Sequence, residues 1–365
     1  MTTKKKLLIL SRYDVNGASS RLRSFQYIPF FSDNGYEVTV SPLFDAKYLE
    51  LLYNYNKRSL KTVCYSYARR FFRLLRLNEF DLLWIEKETL PLLPAFFENI
   101  LISSKIPYIV DYDDAIFHNY DLHSVSFIRK LLANKLDSLL SNSHCVLVGN
   151  SYLYDYVKKH GAKRIAYVPT VIDINKYSYS SIPKNTKEYR IGWIGSPSTS
   201  KYLQPMMKIF GELPKELNVR FVTIGAPHLN NCPVPLEQHQ WSEENEADLL
   251  SSIDVGIMPL PDEPWERGKC GYKLIQYMAC ARPVVGSPVG VNKDIITADV
   301  GFLAENDADW GKHLEALGRD VSLRIRMGTN ARRKVEDIYN SSVTAPEILK
   351  ILNSISVLKI RKNCI

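Results

Sequence analysis

A chain of 365 residues exceeds the size at which a single hydrophobic core usually stops growing, so we expect two domains. The chain is 45% hydrophobic and 24% charged, which is ordinary for a folded globular protein and argues against extensive disorder. The formal net charge of +8 favours an anionic partner, although charge alone does not choose among a nucleotide, an anionic lipid and a nucleic acid.

The N-terminus has a basic start followed by the short apolar run Leu7 to Leu10. Ser11 ends this run, so it is too short for an export signal and predicts a first buried strand. No apolar stretch is long enough for a membrane span. The six cysteines include no Cys-x-x-Cys pair, which predicts reduced thiols in the cytoplasm and argues against a zinc site.

Short apolar runs alternate with helical patterns through residues 1–176. Strands separated by helices predict a parallel sheet covered on both faces, in a Rossmann-like N-terminal domain. The predicted strands are LLILS, YEVTVSPL, FDLLWIEK, YIVDYD and HCVLVGN. Helices are expected from Ser19 to Ser32, along a basic stretch, from Pro91, and from Phe127 to Leu140.

A polar segment without periodicity, residues 177–188, separates this domain from a second alternation and predicts a linker. The second alternation predicts another parallel sheet over residues 189–335. Its strands are YRIGWIG, VRFVTIG, VGIMPL and PVVGS. Residues 336–365 are expected to be helical.

Two strand ends carry residues suited to anionic ligands. In SRYDVNGASSRLR, Gly17 would allow a close backbone approach, and Arg21 and Arg23 could bind an anionic acceptor or donor phosphates. A plain turn capped by a serine is the alternative. In GSPST, the backbone and hydroxyls around Gly195, Ser196 and Thr199 could hold phosphate oxygens, with helix capping as the alternative.

The segment WERGKCGYKLIQYMACARPVVGSPVGVN is the most informative in the chain. Gly268 and Gly271 flank Lys269 and open a helix predicted from about Tyr272 to Cys280. A helix N-terminus carries unpaired N–H groups and partial positive charge, so with Lys269 and Lys273 it suits a diphosphate. Gln276 would lie about one turn deeper, where a ribose could bind.

This segment resembles the donor-binding signature of the retaining glycosyltransferases of family 4. Met278-Ala279 and Pro283-Val284-Val285 match it, with Ala281 where glycine is usual. The family has two glutamates separated by seven residues, and the register places Gly268 and Gln276 at those positions. The resulting Lys-Cys-Gly-Tyr-Lys pattern is similar to a variant of polysaccharide-assembly transferases, and Glu266 is a candidate replacement for the first glutamate.

The resemblance implies the α/β GT-B fold, with two Rossmann-like domains whose parallel sheets face a central cleft and a C-terminal helix that crosses back. It implies retaining transfer of a sugar from a nucleoside diphosphate donor to a hydroxyl of a glycan or lipid-linked oligosaccharide. The setting would be cytoplasmic synthesis of surface polysaccharide, such as lipopolysaccharide or capsule. Neither a metal nor a cofactor is expected.

The resemblance also assigns roles to residues. Lys269 and Lys273 would stabilise the leaving diphosphate. The donor-binding residues implied are Gly17, Gly195, Ser196, Thr199, Gly268, Gly271, Tyr272 and Gln276.

The acidic run Asp111-Tyr112-Asp113-Asp114 has two interpretations. It contains the Asp-x-Asp pattern with which GT-A glycosyltransferases hold a divalent cation. Because a second complete sheet follows, we favour carboxylates that line the acceptor side of the first domain. Asp113 and Asp114 are the expected contacts to the acceptor hydroxyl, and Asp111 is expected to serve structure.

The segment Lys57 to Arg76 is predicted to be a basic amphipathic helix. It could lie on an anionic inner-leaflet membrane surface or form an ordinary solvated helix face. Two other functions stay open, namely a GT-B nucleotide-sugar epimerase and a noncatalytic subunit that binds a nucleotide sugar or glycan. A nucleic-acid partner is not expected, because no recognition module accompanies the basic residues.

Overall fold

The computed structural model describes residues 4–55, 59–178 and 187–362, so Lys57, Arg58 and linker residues 179–186 lie outside the described residues. The chain divides into two compact units. The first runs to Thr170 and includes the segment from Ser341, and the second is Val171–Asn340. Each unit contains a six-stranded sheet, and every strand pair in both sheets is parallel. The predicted α/β class with two Rossmann-like sheets is therefore confirmed.

The first unit begins as a regular alternation of strands and helices. Its elements in chain order are β1 (Lys5–Leu10), α1 (Ala18–Arg23), α2 (Ile28–Asp33), β2 (Tyr36–Val40), α3 (Ala46–Tyr55), α4 (Leu60–Leu74), β3 (Leu82–Glu86), α5 (Phe96–Ser103), β4 (Tyr108–Tyr112), α6 (His118–Asp121), α7 (Ser126–Leu132), α8 (Asp137–Asn142), β5 (Cys145–Val148), α9 (Ser151–Lys159) and β6 (Ile165–Tyr167).

The strand order in this sheet is β2-β1-β3-β4-β5-β6. The chain leaves β1 toward β2 and then returns to the other side through β3, so the direction of winding reverses between β1 and β3. In open parallel sheets, such a switch point leaves a crevice outside the carboxyl ends of the strands. The central strands β3, β4 and β5 are buried along their whole length, as expected for strands covered by helices on both faces.

The second unit repeats the alternation. Its elements are β7 (Tyr189–Ile194), α10 (Gln204–Glu212), β8 (Val219–Ile224), β9 (Leu236–His239), α11 (Glu246–Ser251), β10 (Val255–Met258), α12 (Pro264–Arg267), α13 (Tyr272–Ala279), β11 (Val284–Gly286), α14 (Asn292–Ile295), β12 (Gly301–Leu303), α15 (Asp307–Arg319) and α16 (Val321–Ile338).

The strand order in the second sheet is β12-β11-β10-β7-β8-β9, which puts its switch point between β7 and β10. Tyr277 of α13 bridges these two strands. Its hydroxyl accepts a hydrogen bond from the Ile194 N–H at 2.9 Å and donates to the Ile257 carbonyl at 3.2 Å. A Cβ at Gly256 would lie 2.1 Å from the Tyr277 ring, so the strand needs glycine there for the ring to pack.

The last helix, α17 (Ser341–Lys362), belongs to the first unit. Ile348 and Leu352 are fully buried. The Tyr27 and Thr344 hydroxyls lie 2.9 Å apart, and Tyr36 donates to Asn353 at 3.0 Å. The C-terminal helix is therefore packed on α2 and β2 by both apolar and polar contacts.

Some elements differ from the sequence expectations. The helix expected from Phe127 to Leu140 is divided into α7 and α8, because Lys135 is buried at the break and donates to the Leu90 carbonyl at 2.8 Å. The edge strands β6, β9 and β12 were not predicted. Within the described part of the chain, no helix has both the length and the apolarity that a membrane span requires.

Candidate functional site

The carboxyl end of β7 contacts the first turn of α13 at the switch point of the second sheet. The Lys273 Nζ lies 5.6 Å from the centroid of the Trp193 ring, within the range of a cation–π contact. A Cβ at Gly195 would lie 2.8 Å from the Lys273 Cε and 2.6 Å from the Trp193 ring. Glycine at this position therefore lets the lysine stem cross the strand end, which places an ammonium group beside the turn after β7.

The turn before α13 is built around Gly271. Its φ of 67° lies in the left-handed region, and a Cβ there would lie 2.3 Å from the Ile295 Cδ1. Both conditions demand glycine. Gly268 ends the short helix α12, and the half-buried Lys269 lies between the two glycines. The backbone thus starts α13 with its positive end at the same strand edge as Gly195.

The residues after Gly195 form a 3-10 helix, Pro197–Leu203. The N–H and hydroxyl of Thr199 both donate to the Ser196 carbonyl, at 3.0 and 2.9 Å. The Ser196 hydroxyl lies 2.9 Å from that of Ser198 and is exposed. The Ser196 side chain makes no capping hydrogen bond to this helix, so the turn presents its hydroxyl groups beside Gly195.

A hydrogen-bonded chain that was missed from the sequence connects α13 to an exposed indole. The Tyr272 and Tyr177 hydroxyls lie 3.3 Å apart, and Tyr177 donates to the buried Glu246, which also accepts from the Trp241 indole.

A Cβ at Gly225 would lie 2.5 Å from the Gly195 carbonyl oxygen and 3.3 Å from the Trp241 Cβ. The indole of Trp241, 39% exposed, therefore lies at the same end of the sheet.

Gln276 and Glu266 are both nearly buried. Gln276 lies on α13 and is 3% exposed. Glu266 is 4% exposed, and one carboxylate oxygen accepts a hydrogen bond from the Tyr202 hydroxyl. The other oxygen, Oε2, is buried and has no hydrogen-bond partner in the part of the chain that the structure describes. Burying a carboxylate oxygen without a hydrogen bond costs free energy of folding. A ligand that donates a hydrogen bond to Oε2 would remove that cost.

The switch point of the first sheet holds a compact group of charged side chains. The Lys87 Nζ lies 2.9 Å from Asp113 and 3.9 Å from Asp114, and it donates to the Ser19 hydroxyl at 3.0 Å. Ser19 in turn donates to Asp113 at 2.5 Å. Of these side chains, that of Asp114 is 34% exposed, whereas that of Asp113 is 11% exposed and that of Lys87 is buried. Asp114 is thus the carboxylate that a solute can reach.

The charges of this group fix its protonation. Burial raises the pKa of Asp113, but the charges of Lys87 and Arg23 and the hydrogen bonds from Ser19 and Lys87 outweigh it, so the pKa lies below the ordinary value. Burial lowers the pKa of Lys87, and the charges of Asp113, Asp114 and Glu86 outweigh it and hold that pKa above its ordinary range. The two groups are therefore an ion pair at neutral pH.

Lys87 and Ser19 were missed from the sequence. Lys87 follows β3 directly with a φ of 66°, a left-handed conformation that is strained for a residue with a side chain. Ser20 donates to Glu86 at 2.5 Å and supports the same strand end. The feature of the sequence that could have identified Lys87 is the charged pair Glu86-Lys87 at the end of an otherwise apolar run.

Arg23 and Asp111 form a buried pair inside the first unit. The guanidinium donates to Asp111 at 2.5 and 3.0 Å and to the Val168 carbonyl at 2.8 Å, and it is 3% exposed. Arg23 therefore serves the internal structure of its unit, as expected for Asp111. Arg21 is half-buried and lies on the same helix, which begins after Gly17.

The carboxylates of the Asp-x-Asp pattern face cations of the protein, since Asp111 pairs with Arg23 and Asp113 with Lys87. Over residues 4–55, 59–178 and 187–362, no three His, Cys, Asp or Glu side chains come together as metal ligands.

Comparison with known proteins gives a match for the second unit. Residues 188–320, which contain the whole second switch point, match the family model "Glycosyl transferases group 1". A GDP-mannose-dependent alpha-(1-6)-phosphatidylinositol dimannoside mannosyltransferase of Mycobacterium tuberculosis is 31% identical over 111 residues. That match covers 30% of this chain and 27% of the relative, so the similarity extends over about a quarter of the relative's length.

Solved structures share the fold over nearly the whole chain. Sucrose-phosphate synthase from Thermosynechococcus elongatus has a TM-score of 0.73 at 12% identity, covering 97% of this chain and 100% of that one. HepE of Anabaena, in complex with UDP and glucose, has a TM-score of 0.70 at 14% identity, covering 96% and 100%. The fold is therefore that of the GT-B-like glycosyltransferases.

Proposed function

We propose that this protein transfers a sugar from a nucleoside diphosphate donor to a hydroxyl group, with retention of anomeric configuration. The observation that carries the proposal is the position of Lys273 across Gly195, at the switch point of the second sheet and beside the N-terminus of α13. This geometry lies within the segment that matches the glycosyltransferase model. HepE, which has a similar fold, was solved with UDP and glucose.

In this proposal, the diphosphate binds at the carboxyl end of β7. The backbone at Gly195 and Gly271, the hydroxyls of Ser196 and Thr199, and the ammonium groups of Lys269 and Lys273 supply donors and positive charge. As the bond to the sugar breaks, negative charge grows on the leaving diphosphate. Groups fixed where that charge develops lower the barrier, and one well-placed donor contributes roughly 3 to 4 kcal/mol. No metal or cofactor is assigned to this step.

The nucleoside would extend from the diphosphate toward Trp241. The exposed indole offers a flat face on which a base can stack, and its contact with Glu246 fixes the ring. Tyr272 and Gln276 are the proposed ribose contacts.

We assign Glu266 to the hydroxyls of the transferred sugar. It lies two residues before Gly268, where the resembling family has a glutamate, and its Oε2 has no hydrogen-bond partner among the described residues. A sugar hydroxyl would satisfy that oxygen, so Glu266→Gln should weaken binding of the nucleotide sugar more than binding of the nucleoside diphosphate. Equal losses for both ligands, measured by calorimetry, would remove Glu266 from this role.

On the acceptor side, we propose that Asp114 meets the incoming hydroxyl and that Asp113, held as an anion by Lys87, contributes charge behind it. Arg21 completes this side. The proposed acceptor is a glycan or a lipid-linked oligosaccharide of surface polysaccharide, such as lipopolysaccharide or capsule. The mycobacterial relative is a phosphatidylinositol dimannoside mannosyltransferase, which supports a lipid-linked acceptor.

A lipid-linked acceptor would place the protein at the cytoplasmic face of a membrane. We propose that α4 contacts that surface. Ser59 caps the helix, and the exposed side chains of Leu60, Tyr65 and Phe72 alternate with cations. Arg70 is excluded from this role, because it is buried and donates to the Ser11 and Ser41 carbonyls.

The experiment that tests the function is product analysis with a panel of nucleoside diphosphate sugars, with and without glycan and lipid-linked acceptors. The proposal expects a new glycoside and released diphosphate only when an acceptor is present. Conversion of the donor sugar without an acceptor would favour the epimerase, and binding without turnover on any acceptor would favour the noncatalytic subunit.

A further inference from the structure

The first unit has a second exposed apolar surface that the proposed donor and acceptor chemistry does not use. Leu122, Val125, Phe127 and Leu131 are between 49% and 71% exposed. Phe127 and Leu131 are four residues apart on α7, so their side chains lie on one helix face. We name these four side chains, together with Lys130, the 122–131 surface.

The protein holds this surface in a defined position. Leu132 is buried on the opposite side of α7, and Arg129 donates to the carbonyl oxygens of His123 and Ser124 at the start of the helix. Tyr120, just before the surface, is buried and donates to Glu88 at 2.7 Å. The apolar side chains are therefore exposed on a packed element.

Charge and composition indicate what covers this surface. No aspartate or glutamate occurs from Leu122 to Leu136, whereas Arg129 and Lys130 lie within it. Aromatic and aliphatic side chains next to cations, without acids, are the composition of elements that lie in the interface of an anionic bilayer. The second unit differs, because among its described residues the large exposed hydrophobic side chains are Trp241 and Ile338.

Hydrogen bonds connect this surface to α4 through one loop. Tyr67 of α4 donates to the Pro91 carbonyl at 2.8 Å, and the Leu92 N–H donates to the Tyr120 hydroxyl at 3.1 Å. Leu92 and Phe96 on this loop are themselves exposed. We propose that the 122–131 surface inserts into the interface of an anionic phospholipid bilayer as a second contact beside α4. The inference rests on the proposed membrane-bound substrate.

The test is co-sedimentation of the full chain with vesicles of phosphatidylcholine alone or with added phosphatidylglycerol. We expect the wild type to prefer the anionic vesicles. The double variant Phe127→Ser and Leu131→Ser should weaken that binding about tenfold. The matched control is Ile338→Ser, which removes an exposed aliphatic side chain from the second unit and should bind as the wild type does. A water-soluble acceptor should be glycosylated equally by all three proteins.

Vesicle binding is measured without turnover, so its outcome is separate from that of the proposed function. The inference is overturned if the wild type binds no vesicle, or if the double variant binds as well as the wild type while Phe72→Ser in α4 binds less. Loss of a wild-type dimer in the double variant, seen by light scattering without vesicle binding, would instead indicate an interface between copies. If the double variant does not fold, Lys130→Glu serves as the second test and should weaken binding to anionic vesicles only.

Discussion

At the scale of single residues, the proposed chemistry depends on how cations are held. Lys273 lies against the Trp193 ring at the end of β7. Lys87, which follows β3, lies between Asp113 and Asp114, which follow β4. The first is half-buried and can meet a ligand, whereas the second is buried among protein carboxylates. We therefore assign Lys273 to the substrate and Lys87 to positioning of the acidic residues.

Lys273→Ala should lower kcat by roughly 10² to 10³-fold, the cost of one well-placed donor at a developing charge. Binding of the intact nucleotide sugar should weaken less, because the diphosphate gains its full charge only on leaving. Steady-state kinetics measures the loss in kcat, and a separate binding measurement gives the smaller loss in affinity for the nucleotide sugar. The exposed Lys312 on α15 gives the control, since Lys312→Ala should leave both constants unchanged. An unaltered kcat for Lys273→Ala would exclude it from the reaction.

Lys87→Met should lower the free energy of unfolding by about 3 kcal/mol near neutral pH, because it removes the cation that forms the ion pair with the largely buried Asp113. The pKa of Asp113 is lowered in the folded protein, so this contribution is present above its unfolded pKa of about 3.9 and is lost as the pH falls through the folded pKa. Urea unfolding at several pH values should show the two proteins converging below about pH 4.

The exposed pair Lys208–Asp307 supplies the comparison for that experiment. Lys208→Met should not change stability measurably, since solvent screens an exposed pair. A pH-independent loss in Lys87→Met would show that the lysine acts through packing and not through its charge.

At the scale of the element, the start of α13 is determined by a glycine. Gly271→Ala meets two obstacles, the left-handed φ and the Ile295 side chain 2.3 Å from the new Cβ. It should destabilise the protein by more than about 1 kcal/mol and weaken diphosphate binding. Thermal unfolding and calorimetry with a nucleoside diphosphate measure the two effects.

Gly311 of α15 is the matched control, because nothing lies within 4 Å of a Cβ placed there. Gly311→Ala should stabilise the helix by roughly 0.5 to 1 kcal/mol and leave binding unchanged. If Gly271→Ala unfolds like the wild type, the local geometry of this turn is not what places α13.

At the scale of the whole molecule, the sequence predicted the repeated α/β pattern and the helix that begins at Tyr272. It could do so because long apolar strands and the glycine-flanked start of α13 are local patterns. The edge strands β6 and β12 have three residues each, and β9 is the polar LEQH, so none of them carries a strong strand pattern.

The acidic cluster shows why other parts escaped prediction. Lys87 follows β3, Asp113 follows β4 and Ser19 lies on α1, so only the folded unit brings the three within hydrogen-bonding distance. The connection of Trp241 to Tyr272 through Glu246 and Tyr177 is also nonlocal. Arg23 looked like an anion-binding residue in the sequence because its partner, Asp111, lies far away in the chain.

The central claim is that the end of β7 and the start of α13 bind a diphosphate. Isothermal titration calorimetry of UDP, GDP and their sugars into the wild type and Lys273→Ala tests it most directly. We predict that at least one nucleoside diphosphate binds the wild type and that Lys273→Ala weakens it at least about tenfold, as loss of a charge-assisted contact requires. The account is contradicted if no nucleoside diphosphate binds the wild type, or if one binds the variant with the same affinity.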